Sequence, residues 1–303
     1  MIYFSQVISM DKTIFSVQIA ERNIEKFKFF YSDRIQKSDE EYVKYLIRMP
    51  ECTIKVYNSW KVVFSGVNAY EEALLWGYQE NNWKTTETHI GSDEVGTGDY
   101  FGPVCVCAAY VTEEDIEWLN QLGIKDSKKL KDEQIMKIVP LLLKRITYSQ
   151  LSLSNDKYNL LVKKGFNQGM IKAYLHNQAF VNLRNKTNDN KCLTVLDLFV
   201  NESRYYAYLK NEKIVAKNIH LETKAETYYP AVAVGSMIAR YSYITKMNKL
   251  SKELGVEIPK GAGEKVDEVA AQIIKKFGIN KLQEIAKMHF KNTEKAQEII
   301  NQK

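Results

Sequence analysis

Residues 90–103, Ile-Gly-Ser-Asp-Glu-Val-Gly-Thr-Gly-Asp-Tyr-Phe-Gly-Pro, constrain this chain more than any other stretch. Two adjacent carboxylates, Asp93 and Glu94, stand just before a Gly-Thr-Gly step, and Pro103 to Val111 then reads as a buried strand. Carboxylates are costly to desolvate beside a core unless something cationic meets them. A glycine loop beside them lets a polyanionic ligand approach bare backbone. An acid pair and a glycine loop set against a buried strand therefore point to a divalent metal holding a phosphate.

The 303 residues suit about two domains. With 45% hydrophobic and 26% charged residues the chain can bury a sizeable core. The net charge of +6 fits either a mildly basic enzyme or a polyanion partner. No apolar run approaches the roughly 18 residues of a membrane span. The start, Met-Ile-Tyr-Phe-Ser-Gln, lacks the basic-then-apolar layout of a signal peptide. The expectation is a cytoplasmic protein with no membrane segment and no obligate protein partner evident. Cys52, Cys105, Cys107 and Cys192 form no Cys-x-x-Cys pair, and all four read as reduced core or near-core residues.

Residues 1–82 read as a separate α+β module. Thr13 to Ala20 alternates as a strand, and Ile24, Phe27, Phe30 and Tyr31 recur at helical spacing. Tyr42 to Met49, Thr53 to Tyr57 and Lys61 to Phe64 read as strands, with a hairpin turn at Asn58-Ser59-Trp60 and a helix over Ala69 to Tyr78. A polar, Thr-rich linker leads to a second unit, residues 89–303. There the pattern predicts strands around the acid pair, at Ile146 to Leu153 and at Cys192 to Val200. It predicts helices over Asp132 to Lys144, over Lys157 to Leu183 with a soft spot at Gly165, from Thr223 or Lys224 to about Leu254, over Val266 to Phe277 and over Lys281 to Phe290. Strands alternating with helices predict an α/β fold, a mixed sheet with flanking helices.

Two more acids stand out. Asp197 interrupts an apolar strand between Leu196, Leu198 and Phe199, so it either turns to solvent or finds a cationic partner. Glu226 precedes Pro230, which is tolerated only in a first helical turn, so Glu226 lies near a helix start. There it either meets the helix dipole or joins the other acids. Small residues at Ala231, Gly235 and Ala239 recur every four, a face able to press that helix close to a sheet. Carboxylates meeting in one cluster would raise one another's pKa, and two Mg²⁺ ions would relieve the repulsion.

Five segments in this order resemble the bacterial ribonuclease HIII branch of the type 2 ribonuclease H family. They are Asp93 to Pro103, Asp126-Ser127-Lys128-Lys129-Leu130, the strand Leu196-Asp197-Leu198-Phe199-Val200, Thr223-Lys224-Ala225-Glu226 ahead of Tyr-Pro-Ala-Val, and Lys287 to Thr293. The resemblance implies a ribonuclease H-like catalytic domain with Asp93, Glu94, Asp197 and Glu226 as catalytic, metal-binding acids. It implies Mg²⁺ or Mn²⁺, two ions in the catalytic complex. The implied reaction is endonucleolytic cleavage of the RNA strand of an RNA–DNA hybrid, leaving 5′-phosphate and 3′-hydroxyl ends. The N-terminal module resembles that family's domain of TATA-box-binding-protein fold, which implies a grip on the hybrid. Glu226 favours the HIII branch over the sister HII enzymes, and Gly-Thr-Gly replaces the sister's Gly-Arg-Gly.

Implied substrate contacts are Gly96, Thr97, Gly98, Ser127, Lys128 and Lys224. The glycine loop can set backbone against the ribose 2′-hydroxyl, which tells RNA from DNA. Lys128 and Lys129 either touch phosphate or form a solvated surface pair. His89, His176, His220 and His289 lack metal-ligand spacing and read as structural. A branched-DNA nuclease of the same superfamily and a hybrid-binding protein without catalysis are the alternatives. The second would lack an acid, and none is missing.

Overall fold

A computed structural model describes residues 14–19, 21–76, 83–124 and 130–301. The chain forms two compact units, Met1–Asn82 and Trp83–Lys303.

In the first unit, β1 (Ile14–Gln18), α1 (Ile24–Phe30), β2 (Ile35–Lys37), β3 (Val43–Met49), β4 (Cys52–Tyr57), β5 (Lys61–Ser65) and α2 (Ala69–Leu75) follow in order. The five strands make one antiparallel sheet in the order β1-β5-β4-β3-β2. Ile47, Ile54, Val56, Val62 and Phe64 bury one face of it against Phe27 and Tyr31 of the first helical segment and Ala69 and Ala73 of α2. The period of two explains both faces, because Arg48, Lys55 and Lys61 alternate with those core residues and point away. Strand β2 carries no sequence signal: three residues, two of them exposed, hold their place by pairing with β3. Helix α2 ends at Leu75, and residues 77–82, which hold the rest of the predicted helix and the start of the linker, lie outside the described residues.

The second unit contains β6 (His89–Val95), β7 (Val104–Val111), α3 (Glu113–Gln121), α4 (Asp132–Arg145), β8 (Thr147–Leu153), α5 (Asn155–Lys163), α6 (Gln168–Thr187), β9 (Leu193–Asp197), α7 (Glu202–Tyr208), β10 (Ile219–Glu222), α8 (Pro230–Leu254), α9 (Glu264–Ile285) and α10 (Asn292–Asn301). Its mixed sheet runs β10-β9-β6-β7-β8. Strand β6 is parallel to β9 and antiparallel to β7. Along β7, Cys105, Cys107 and Ala109 face the core formed with α8, whereas Val104, Val106 and Ala108 face the core formed with α6. The result is a sheet buried on both faces, which is why its central strands read as continuous apolar runs. Cys105 and Cys107 share a face as free, buried thiols.

Helix α8 approaches the sheet closely. A Cβ on Gly91 would fall on the backbone nitrogen of Val232, and one on Gly235 would lie 2.7 Å from the Cys107 carbonyl oxygen. His89 strengthens the contact, its Nε2 accepting from the Ala231 amide at 3.1 Å. These small residues, and Pro230 in the first helical turn, seat the helix start beside the strand ends.

Some boundaries differ from the sequence pattern. The predicted helix over 157–183 is two, α5 and α6, separated at Gly165, whose φ is +87°. Strand β9 stops at Asp197, because Leu198 and Phe199 leave the ladder. The helix expected from Thr223 begins only at Pro230; a short 3₁₀ turn, Ala225–Thr227, precedes it. The two late helices form one element kinked at Gly278 that ends at Ile285, well short of Phe290. Helices α3, α7 and α10 and strand β10 are additional, and α3 carries a legible capping box from Thr112 to Asp115.

The end of α9 and the residue Lys287 just past it clamp residues 99–102, which follow the Gly96–Gly98 step. The Gly102 amide donates to Ile285 O and the Lys287 amide to Tyr100 O, both at 2.9 Å. The fully buried Lys287 ammonium donates to the carbonyls of Asp99 and Gly102 at 2.7 Å each.

The α8 contact predicts that Gly91→Ala lowers unfolding free energy by about 1–3 kcal/mol or more, since backbone cannot yield to the new methyl. Gly98→Ala should leave stability near wild type, because nothing lies within 4 Å of its Cβ position. Denaturant unfolding of the two variants checks the contrast.

Candidate active site

The acid pair sits at the end of β6, where the pleat sends neighbours to opposite faces. Asp93 pairs with Cys107 and turns to the α8 side, where the Ser236 hydroxyl donates to it. Its Oδ1 also accepts from the Glu94 amide at 2.7 Å. Glu94 pairs with Val106 and turns to the α6 side. There Lys172 forms an ion pair with Oε1, and His176 Nε2 lies 2.9 Å from Oε2. His176 is fully buried, and its other ring nitrogen meets the Ser92 hydroxyl at 2.8 Å. A carboxylate only accepts, so the ring nitrogen facing Glu94 carries a proton.

Opposite surroundings give opposite pKa shifts. Burial, then the Glu94 charge, raises the Asp93 carboxyl to about 7, with Asp197 adding to the rise. Burial also pushes Glu94 upward, but the His176 hydrogen bond and the charges of His176 and Lys172 outweigh it and leave Glu94 below its ordinary value. Mutual repulsion predicts a rise for the cluster; it holds for Asp93, while cations reverse it at Glu94.

Asp197 ends β9 one residue past the Ser92–Leu196 pairing, which sets it beside Asp93. Its Oδ1 accepts from the Ala225 amide at 2.8 Å. That bond ties the strand end to the buried 3₁₀ turn that holds Glu226. Asp93, Asp197 and the Glu226 turn thus lie on the α8 side of the sheet, and Glu94 faces the other way. Among the described residues, no three His, Cys, Asp or Glu side chains are already drawn together as a metal-holding group.

Of the substrate contacts expected from the sequence, Gly96 has φ +94° and a Cβ there would strike Pro103 O, so backbone geometry demands glycine. Gly98 is exposed and open. Thr97 O already accepts from Gln168 Nε2 at 2.6 Å. Lys224 is exposed and takes a left-handed conformation, φ 56°, ahead of the Glu226 turn. Ser127 and Lys128, with Lys129, lie outside the described residues.

Sequence reasoning missed Lys172, Ser236 and His176. His176, read as structural, touches Glu94 directly. Lys172 and His176 are spaced i, i+4 on α6, a legible pairing, but only the tertiary fold shows that this face meets an acid. The other histidines lie elsewhere: His89 braces α8, His220 pairs with Glu222 at 3.0 Å, and His289 stacks on Tyr158.

Residues 90–293 match the family model described as ribonuclease HII, and residues 15–89 match a domain of unknown function. Curated proteins named ribonuclease HIII from Bacillus velezensis and Bacillus subtilis are each 41% identical over 306 aligned residues, covering 95% of this chain and 98% of theirs. The crystal structure of Bst-RNase HIII in complex with Mn²⁺ superposes with a TM-score of 0.71 at 33% identity, covering 96% of this chain and all of that one.

The Asp93 shift carries a stability prediction. Its folded pKa lies above the unfolded value, so the folded state holds the proton more tightly. The group's unfavourable contribution is absent below the unfolded pKa of 3.8, grows as pH rises, and is complete above about 7. In EDTA, Asp93→Asn should therefore be more stable than wild type at pH 8, by about 1–3 kcal/mol, with the gap shrinking towards pH 4. Thermal denaturation across that range reads it.

Proposed function

This chain belongs to the ribonuclease HIII family, and from that premise we propose that Asp93, Glu94, Asp197 and Glu226 are the carboxylates through which it cuts RNA. The enzyme is a metal-dependent endoribonuclease. It hydrolyses the RNA strand of RNA–DNA hybrids and leaves 5′-phosphate and 3′-hydroxyl ends. Its cofactor is Mg²⁺ or Mn²⁺.

The site fits such ions. Its donors are carboxylate oxygens, the ligands that hard divalent cations take. Asp93 is held with a raised pKa beside two other acids, a state that a bound cation relieves. Two bound ions supply Lewis-acid activation of water and charge stabilisation on the scissile phosphate. Asp93 and Asp197, neighbours at adjacent strand ends, would hold them. Glu94, and Glu226 from the turn tied to Asp197, would complete the ligand set or orient the attacking water. Ser236 and the Glu94 and Ala225 amides fix the carboxylate orientations before any ion arrives.

Specificity for RNA is assigned to the glycine loop. The Thr97 carbonyl is committed to Gln168, so the loop offers amide groups and the open Gly98 to an approaching ribose. The Lys287 clamp anchors the segment that follows at Asp99 and Gly102, which spares ordering cost on binding. Lys224, and Ser127 and Lys128 of the stretch outside the described residues, are assigned to backbone phosphate. The two units divide the work: residues 1–82 grip the duplex and residues 83–303 cut it. The helix-free sheet face of the first unit carries Arg48, Lys55, Tyr57 and Lys61, cations and an aromatic suited to a phosphate backbone. Among the described residues no helix is long and apolar enough to cross a membrane, and the proposed place of work is the cytoplasm, with no obligate protein partner.

The observation that carries the site assignment is the convergence of Asp93 and Asp197 at neighbouring strand ends, with the Ala225 bond tying Glu226's turn to them. Asp93→Asn and Asp197→Asn should each lower turnover by orders of magnitude on end-labelled RNA–DNA hybrid while circular dichroism stays unchanged. Near-wild-type cleavage by either, in excess metal, would sink the assignment. On RNA–RNA, DNA–DNA and DNA carrying one ribonucleotide, wild type should cut far less than on hybrid.

The grip role makes a separate prediction. A fragment spanning residues 83–303 should keep cleavage but bind hybrid more weakly, with a shallower fall of affinity with salt. An unchanged affinity and salt slope would remove the N-terminal unit from substrate binding.

A further inference from the structure

Lys172 stands beside a carboxylate assigned to metal, and nothing in the cleavage reaction calls for a lysine there. Its side chain is 15% exposed and that of Glu94 is 11% exposed, so the ion pair is largely shielded from solvent. The two oxygens of Glu94 are divided between neighbours on one helix: Lys172 takes Oε1 and His176 takes Oε2. These neighbours differ in freedom. His176 is fully buried and anchored through Ser92, so it cannot leave. Lys172 has a flexible stem, and its ammonium lies 4.1 Å from the centre of the Phe199 ring while it pairs with Glu94, so the ring holds it only by a cation–π contact.

We infer that Lys172 is the resident counter-ion of the acid cluster: its ammonium holds Glu94 Oε1 in the metal-free enzyme and must be displaced when a divalent ion takes that carboxylate. The inference rests on the reading of Glu94 as a metal ligand. Without the ammonium, only His176 would offset the repulsion between the Glu94 and Asp93 charges. With it, the empty cluster is tolerable, at the cost of opposing every ion that loads. The lysine thereby keeps metal affinity moderate and couples metal loading to movement of its ammonium away from Glu94 Oε1.

The test measures metal binding in the full-length protein without nucleic acid. Wild type, Lys172→Met and Glu94→Gln are stripped with EDTA, dialysed and titrated with Mn²⁺ at pH 8, with free Mn²⁺ read by electron paramagnetic resonance. Lys172→Met should bind Mn²⁺ roughly tenfold more tightly, since a competing charge within ion-pair distance is gone. Its metal-free Tm should fall below wild type, and Mn²⁺ should close that gap. Lys172→Arg, which keeps the charge, should bind no more tightly than wild type. Equal or weaker Mn²⁺ affinity in folded Lys172→Met would overturn the inference. If the methionine variant does not fold, Lys172→Gln carries the same expectation and the same refutation. Glu94→Gln separates the two layers. If it weakens Mn²⁺ binding while Lys172→Met changes nothing, the ligand assignment stands and the counter-ion role falls. If Glu94→Gln binds like wild type, the ligand reading beneath the inference falls, and the inference with it.

Discussion

Adjacent residues of a strand point to opposite faces, and at Asp93 and Glu94 that simple alternation decides the electrostatics of the site. Two carboxylates one residue apart would otherwise share one environment and one pKa. Here Asp93 turns to α8, where the Ser236 hydroxyl meets it and burial drives its pKa up. Glu94 turns to α6, where Lys172 and His176 hold it charged. A cation binding at Asp93 would send any proton held there to solvent, whereas its neighbour is already held charged and compensated. The strand end, where the sheet stops and both faces become reachable, is the one place where an ion could touch both.

The rest of the second unit serves that strand end. Asp197 reaches it because β9 runs parallel to β6 in a register that sets Leu196 against Ser92. The turn that carries Glu226 is tied to Asp197 through the Ala225 amide, and α8 behind it lies flush on the sheet because glycine at 91 and 235 allows that approach. Residues 99–102, just past the glycine loop, are held by the end of α9 and by Lys287, through two backbone bonds and the buried Lys287 ammonium. Burial lowers the pKa of Lys287 to about 8, so the lysine is costly to keep charged and the two carbonyls it satisfies are what make its place tenable. A residue nearly 190 positions downstream thereby anchors the segment that follows the loop assigned to the ribose.

Much of this was legible in the sequence, for physical reasons. The four acids were found because each breaks a local rule: charge beside an apolar strand, or acid beside a forced helix start. Long strands and helices showed through their periods. Strands β2 and β10 did not, since three or four residues carry too little pattern and exist only by pairing with a neighbour. Helix ends at Gly165 and Gly278 depend on positive φ, which a glycine permits without requiring. Lys172 and His176 were invisible as site residues because their meaning lies in a contact across the fold. Lys287 was visible only as part of the family resemblance, and its role emerged from the two carbonyls it faces.

The central claim is that these carboxylates place divalent ions directly on the scissile phosphate of the RNA strand. The most direct measurement is cleavage of hybrids with a single phosphorothioate of defined configuration at one position. Sulfur is a poor ligand for Mg²⁺ and a better one for the softer Mn²⁺. The account predicts that at least one isomer resists cleavage at that position in Mg²⁺ and is cut again in Mn²⁺, while flanking positions are cut with either metal. If both isomers are cut in Mg²⁺ as fast as the all-oxygen phosphate, or if Mn²⁺ restores nothing to a blocked isomer, no ion held by this cluster touches the reacting phosphate and the account is wrong.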